Sequence, residues 1–346
     1  MEYTKGLVLN KRYEIDRLLG SGAAGTVYKA IDQVNSSTVA IKIFFIEDDT
    51  LEEFEKRRLY FRREVELLKR ISHPNVVCVL DSGISELGEL FLVMEYVEGT
   101  MLSELINLGP LELSRITNLL NQMGTGLQAI HSQGIIHRDF KPQNVLIVGQ
   151  EPYEQVKLLD FGIAKMIRGD TEEAFLQTLT SDGAVVGTVY YMSPEQCEGK
   201  PLDERTDIYA LGITVYEMLN GEPPFYNENT FKLMLAHTKL PPPDLPWLPT
   251  AIHEVVFRAL AKPPTQRFAS AVEFAQTFAL AVEQSQSTIV VEESQNSAIS
   301  EKHENSSAPN TTRIWAPTPE RPTLRTMQNQ EEKRTFWRNL LRWKTR

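Results

Sequence analysis

The segment His137-Arg138-Asp139-Phe140-Lys141-Pro142-Gln143-Asn144 fixes more about this chain than any other. Pro142 lacks a backbone N–H and crowds the preceding turn, so the octet is predicted to be a loop and not a helix interior. It carries a carboxylate, an ammonium, a guanidinium and an amide within eight positions. A second acid follows in Asp160-Phe161-Gly162, beside a glycine. Two acids and an amide on neighbouring loops form a hard-oxygen site suited to magnesium with phosphate. Asp139 adds a proton acceptor and Lys141 a positive charge, which together meet the needs of phosphoryl transfer to a hydroxyl. A lone HRD triplet carries little weight, but the octet followed by DFG is specific.

The N-terminal part reads as strands. Tyr13 to Leu19 has strand-forming residues in partial alternation, and Gly20-Ser21-Gly22-Ala23-Ala24-Gly25-Thr26-Val27 follows. Glycines at that spacing allow a tight turn and let backbone N–H groups approach phosphate oxygens. A dinucleotide site would need a helix directly after them. Thr26 to Ile31 instead reads as a strand, which favours a hairpin flap. Val39-Ala40-Ile41-Lys42-Ile43 is a short apolar strand with one lysine in it. An edge-strand charge is the bland reading of Lys42; beside a phosphate flap it reads as a cation for the phosphates. A buried ammonium needs a partner. Glu64, on a helix predicted over Glu52 to Arg70, is positioned to turn toward it. Val65, Leu68 and Ile71 mark the apolar face of that helix, which stops at His73-Pro74-Asn75. Strands are predicted at Val76 to Leu80 and Leu90 to Met94, and the run Val93-Met94-Glu95-Tyr96-Val97-Glu98-Gly99 reads as a hinge whose exposed backbone groups could bond an adenine edge.

From there the pattern turns helical. Ile116, Leu119, Leu120, Met123, Leu127 and Ile130 recur at helical spacing between Leu113 and Ser132. Val145 to Val148 and Val156 to Leu159 are short strands that hold Asn144 and Asp160. Helices are expected at Leu102 to Leu108, Ile208 to Leu219, Asn229 to His237, Ala251 to Ala261 and Ser270 to Glu283. From Gln284 to Gln330 the composition shifts to Ser, Thr, Asn, Glu and Pro, which predicts a disordered linker. Residues 331–346 are basic and aromatic. Phe336, Trp337, Leu340 and Leu341 would share one helical face, suiting an interfacial membrane helix, a partner-docking helix or a terminal helix packed on the domain itself.

Charge and cysteine content narrow the setting. A formal net charge of −10 argues against nucleic acid as the main partner. Cys78 and Cys197 have no CxxC partner, so a reducing cytoplasm fits; Cys78, within an apolar run, is expected to be a buried free thiol. No apolar run reaches the roughly 20 residues needed to cross a bilayer, and the N-terminus lacks the apolar stretch of a signal peptide.

Taken together, Gly20/Gly22/Gly25, Lys42, Glu64, the HRD octet, DFG and Ser193-Pro194-Glu195 resemble the eukaryotic-type protein kinase domain, in its bacterial serine/threonine branch. The resemblance covers about residues 10 to 283. It implies an α+β, two-lobed kinase fold. The small antiparallel β-rich lobe with one main helix would span about 10–98, and the larger helical lobe about 99–283. It implies ATP and Mg2+, with Leu19, Gly20, Ser21, Gly22, Gly25, Val27, Ala40, Lys42, Glu64, Met94, Glu95, Val97 and Leu146 around the nucleotide. Lys42 would contact the α- and β-phosphates and pair with Glu64. Asp139 would orient and deprotonate the acceptor, Lys141 would neutralise the γ-phosphoryl group, and Asn144 and Asp160 would hold the metal. Lys141 is similar to the serine/threonine pattern, and Thr188 would bridge Asp139 and Lys141. Arg138 beside the acid suggests autophosphorylation of the loop, at Thr180 first and Thr178 or Ser181 next. Asp207 would bond the catalytic-loop backbone, and Glu195 would pair with Arg267. Phe140 and Ser193 depart from the commoner leucine and alanine without removing a functional group. A pseudokinase scaffold and a small-molecule kinase of related fold are the alternatives. The first typically lacks the lysine or one of the acids, and the second usually lacks this flap and the Gly187–Glu195 segment.

Overall fold

The computed structural model describes residues 3–22, 25–44, 50–162 and 189–300. Nine strands and eight α-helices lie among them. A six-stranded sheet comes first, with β1 (Val8–Leu9), β2 (Tyr13–Gly22), β3 (Gly25–Asp32), β4 (Ser37–Phe44), β5 (Val79–Ile84) and β6 (Leu90–Glu95). Its order is β1-β2-β3-β4-β6-β5, and each pairing is antiparallel. Helix α1 (Leu51–Leu68) separates β4 from β5. Its start is set by a capping box in which Thr50 and Glu53 satisfy each other's backbone N–H, with Glu52 and Glu53 on the positive end of the helix.

The sheet has two working faces because side chains alternate along a strand. Val39, Ile41 and Ile43 join Tyr3, Leu9, Tyr13, Tyr28 and Phe91 in a compact outer core. Ala40, Lys42 and Phe44 point the other way, where Phe44 meets Phe61 of α1 edge-on at 5.6 Å. That alternation places a lysine on the inner face of an otherwise apolar strand.

A second sheet, β7 (Thr100–Met101), β8 (Val145–Val148) and β9 (Gln155–Leu158), lies against the helical part. The helices are α2 (Leu102–Asn107), α3 (Leu113–His131), α4 (Pro194–Cys197), α5 (Arg205–Asn220), α6 (Thr230–Lys239), α7 (Thr250–Ala259) and α8 (Ala271–Ser300). The six apolar α3 positions expected from periodicity are all fully buried. A Cβ at Gly124 would lie 2.9 Å from the Ala271 carbonyl, so α3 and α8 approach as closely as a glycine permits. Helix α5 is buried along nearly its whole length and stops at Gly221, whose φ of 82° is left-handed. The main core runs without a break from α1 through Met94 and Leu158 to α8.

Three expectations change. The strand predicted at Val76 to Leu80 lies at Val79–Ile84; Val76 makes only an isolated parallel bridge to Leu158, because the chain there is drawn toward β9. Asn75 reinforces that pull, accepting Leu158 N–H at 2.8 Å and donating to Val156 O at 3.0 Å. Cys78 is half-buried, not buried, while Cys197 is buried and its thiol is pushed up to about 12 by that burial. The last helix was expected to end at Glu283 and continues to Ser300, so the compositional change at Gln284 does not coincide with a helix end. Among the described residues no helix is long and apolar enough to cross a membrane.

Candidate active site

The HRD octet forms a loop that closes in a 3-10 turn over Pro142–Asn144, with proline at the start where its missing N–H costs nothing. Asp139 Oδ2 lies 2.8 Å from Lys141 Nζ and accepts from Asn144 Nδ2 at 3.2 Å. Asn144 Nδ2 also donates to the Asp139 carbonyl at 2.8 Å. Three side chains of the octet are thus locked into one cluster, with Asn144 buried.

Asp207, at the first turn of α5, fixes this loop to the core. Its Oδ2 accepts from His137 N–H at 2.7 Å and lies 2.7 Å from His131 Nε2, and its Oδ1 accepts from Arg138 N–H at 2.9 Å. Burial alone would raise the Asp207 carboxyl; His131 and the two amides hold it below the usual range. Arg138 has a left-handed φ of 61°, and its carbonyl accepts from Gln196 Nε2 at 2.9 Å. Below, Glu195 makes a buried bidentate pair with Arg267 at 2.6 and 2.8 Å, and Thr206 Oγ1 donates to the same carboxylate. Both contacts assigned by resemblance, Asp207 to the loop and Glu195 to Arg267, are present.

Leu159 N–H donates to the Asn144 carbonyl at 2.8 Å, and two further ties between the DFG and HRD loops run through His137. His137 Nε2 meets the Leu159 carbonyl at 3.0 Å, and Gly162 N–H donates to the His137 carbonyl at 2.9 Å. A Cβ at Gly162 would sit 2.7 Å from that oxygen, which is why the position requires glycine. Burial pushes the His137 imidazole down, so it is neutral in this linkage. Asp160, with φ of 51°, turns its carboxylate to Lys42 Nζ at 2.7 Å. This corrects one expectation: among the described residues Lys42 pairs with Asp160, and no ion pair joins it to Glu64. Glu64 lies within reach on sequence grounds, but the half-exposed carboxylate of the DFG loop is the partner the lysine takes.

The flap residues lie where β2 and β3 pair. Gly20 is opposite Val27, Ser21 opposite Thr26, and Gly22 opposite Gly25, with a register shift at Leu19. Gly25 has φ of 146°, and a Cβ there would collide with the Ile43 carbonyl, leaving no space for a side chain. Ala40 on β4 faces Met94 on β6 in register, and buried Leu146 sits on β8. Glu95 N–H is consumed by Cys78 O at 2.9 Å, while the backbone N–H and C=O of half-buried Val97 make no recorded hydrogen bond among the described residues. That is a donor and an acceptor held side by side, as an adenine edge requires.

The donor set suits a hard divalent ion. Among the described residues Asn144 bonds through Nδ2 and not through Oδ1, and one Asp160 oxygen is not engaged by Lys42. Among the described residues no group of three or more His, Cys, Asp or Glu could hold a metal alone. One carboxylate and one amide oxygen match magnesium, which keeps waters and takes substrate phosphates as its remaining ligands. Thr178, Thr180, Ser181 and Thr188 lie outside the described residues. Sequence reasoning missed His131 and Gln196, which brace the loop; each partner is distant along the chain, so no local pattern announces it.

A two-part scaffold of this kind, glycine hairpin and inward lysine on a sheet, HRD and DFG loops on a helical base, defines a phosphoryl-transfer class. The model of the protein kinase domain matches residues 13–278, and the chain belongs to that family. It is 37% identical over 278 residues to serine/threonine-protein kinase pkn3 of Myxococcus xanthus, covering 78% of this chain and 50% of that one. It is 36% identical over 280 residues to PknA of Mycobacterium tuberculosis strain H37Rv, covering 79% and 62%. It is 35% identical over 271 residues to PrkC of Bacillus subtilis, covering 77% and 40%. The chain thus spans about half the length of the curated relatives it matches. The solved kinase domain of M. tuberculosis PknI superposes with a TM-score of 0.63 at 27% identity, covering 82% of this chain and all of that one.

Proposed function

We propose that this chain is an Mg-ATP-dependent serine/threonine protein kinase that transfers the γ-phosphoryl group to protein hydroxyls. The observation that carries the reading is the cluster Asp139–Lys141–Asn144, on a loop whose backbone Asp207 holds and which is hydrogen-bonded to the DFG loop, where Asp160 pairs with Lys42. Asp139 orients the acceptor hydroxyl and takes its proton. Lys141, already on Asp139, places positive charge where the transferred group passes. Lys42 steadies the α- and β-phosphates once nucleotide draws it from Asp160. Leu19, Val27, Ala40, Met94 and Leu146 enclose the base, Glu95 and Val97 offer backbone groups to its edge, and Gly20, Ser21, Gly22 and Gly25 cover the phosphates. Asn144 and Asp160 would hold Mg2+, which neutralises charge on the phosphates when bound.

The whole set of functional groups is present, which favours an active enzyme over a pseudokinase scaffold. The Ser193-Pro194-Glu195 anchor and glycine hairpin favour a protein acceptor over a small molecule. Lys141 favours serine or threonine as acceptor. Autophosphorylation at Thr180, with Thr178 and Ser181 next, and a bridging role for Thr188 belong to the same reading. So do a kinase domain over residues 10–283 and a docking role at a membrane surface or partner for residues 331–346, with the linker expected over 284–330 shortened by the helix that reaches Ser300. The two cysteines, without a CxxC partner, favour a reducing cytoplasm for the same reading.

The test is an Mg-ATP assay on wild type and Asp139→Asn with phosphosite mapping. Wild type should phosphorylate a generic protein substrate and its own Thr178–Ser181 region, and the variant should do neither. Equal phosphorylation by both would overturn the assignment. Deletion of residues 331–346 should change membrane fractionation or partner capture; an unchanged pattern would remove the docking role.

A further inference from the structure

Helix α1 carries an uncommon run, Lys56-Arg57-Arg58-Leu59-Tyr60-Phe61-Arg62-Arg63, in a chain whose net charge is −10. The fold sorts this run by face. At about 100° per residue, Phe61, Val65 and Leu68 share one side, and all three are buried in the main core. Lys56, Leu59, Tyr60 and Arg63, spaced i, i+3, i+4 and i+7, fall on the opposite side, and all are exposed. Leu59 is 63% and Tyr60 51% exposed. A leucine and a tyrosine side by side on a helix surface, framed by cations, is an arrangement that folding does not require.

Thr50 hydrogen bonds lower the Glu53 carboxyl and Lys56 helps electrostatically, but no ion pair among the described residues ties down the cations of this face. Arg58, further round, is paired with Glu55 at 3.1 Å. Among the described residues Lys56, Arg62 and Arg63 make no ion pair within 4.0 Å, and all three are exposed. Glu52 and Glu66 lie on the same face beyond its two ends, so the positive stretch is bounded. Lys56 to Arg63 spans about 11 Å along the axis.

We propose that the outer face of α1 is a docking surface for a short acidic segment of a partner protein, its carboxylates meeting Lys56 and Arg63 and an apolar side chain covering Leu59 and Tyr60. Charge complementarity selects an acidic partner. The bounding glutamates select its size. An extended anionic surface such as a bilayer or a nucleic-acid duplex would press on Glu52 and Glu66 as well as on the cations, whereas a short peptide fits between them. The proposal is independent of the kinase assignment and of residues 331–346.

The test uses the full chain, with a fluorescent Asp/Glu-rich peptide containing one leucine as probe and its Lys/Arg counterpart as control. Anisotropy should show binding of the acidic peptide alone, weakening steeply from low to high salt as screening grows. The double variant Lys56→Glu/Arg63→Glu should lose at least ~10-fold in affinity, and Leu59→Ser should bind more weakly at every salt concentration. Should charge reversal lower the thermal midpoint, Lys56→Gln/Arg63→Gln answers the same question without repulsion. No binding by wild type, equal binding by both charge variants, or a preference for phosphatidylserine vesicles lost in those variants would overturn the proposal.

Discussion

At the scale of single residues, Asp207 shows how a buried charge is made tolerable. Three donors converge on one carboxylate, and two of them are the amides of His137 and Arg138. Asp207→Ala would strand those donors and release the loop that carries Asp139. The cost expected is about 3–5 kcal/mol, read by urea unfolding, with phosphoryl transfer falling together with stability. Because this carboxyl is held below its unfolded value, its contribution is fully present above about pH 4. It is lost as pH falls through the folded value. Asp139→Asn makes the contrasting prediction. It keeps the size and the hydrogen-bonding reach but removes the proton acceptor, so kcat should fall by about 10²-fold or more while the KM for ATP and the thermal midpoint stay near wild type. A variant with weakened nucleotide binding and unchanged kcat would place Asp139 in a different role.

Between elements, the segment after residue 188 is pinned to α5 by Tyr191, whose hydroxyl donates to Glu217 Oε2 at 2.7 Å. Burial pushes the Glu217 carboxyl up to about 7, against the lowering effect of that hydroxyl. A carboxyl raised on folding contributes stability below its unfolded value, and that contribution is lost as pH rises through the folded one. Unfolding free energy should therefore decline between about pH 4.5 and 7, and Glu217→Gln should flatten that decline when the two proteins are compared by denaturant titration. Arg267→Ala should cost about 3–5 kcal/mol by leaving Glu195 buried and alone. The elements themselves were largely legible. A lysine within an apolar strand beside the glycine flap already marks Lys42 as a phosphate cation, the 3.6-residue stripe marks the buried face of α3, and Pro142 marks the loop. What was not legible depended on distant partners. The displacement of β5 to Val79–Ile84 follows from Asn75 and Val76 binding Leu158, some eighty positions on, and the Lys42–Asp160 pair sets two lobes against each other. No window of sequence contains either competitor.

Across the whole molecule, one core joins α1, the hinge and α8, so the two lobes are expected to melt together. Mg with a non-hydrolysable ATP analogue should raise that single transition, by RT ln(1 + [L]/Kd) in the simplest case, and Asp160→Asn should abolish the magnesium-dependent part of the rise. A scanning calorimetry trace with two separate transitions would contradict the shared core. The contact of Gly162 with the His137 carbonyl has a consequence at this scale too. One peptide group clips two loops that each bring an acid to the same place, and neither loop can slide without breaking it. Registration of the proton acceptor against the metal-side carboxylate is therefore inherited from backbone spacing, and a single methyl group at position 162 would be enough to set the two halves of the chemistry out of step.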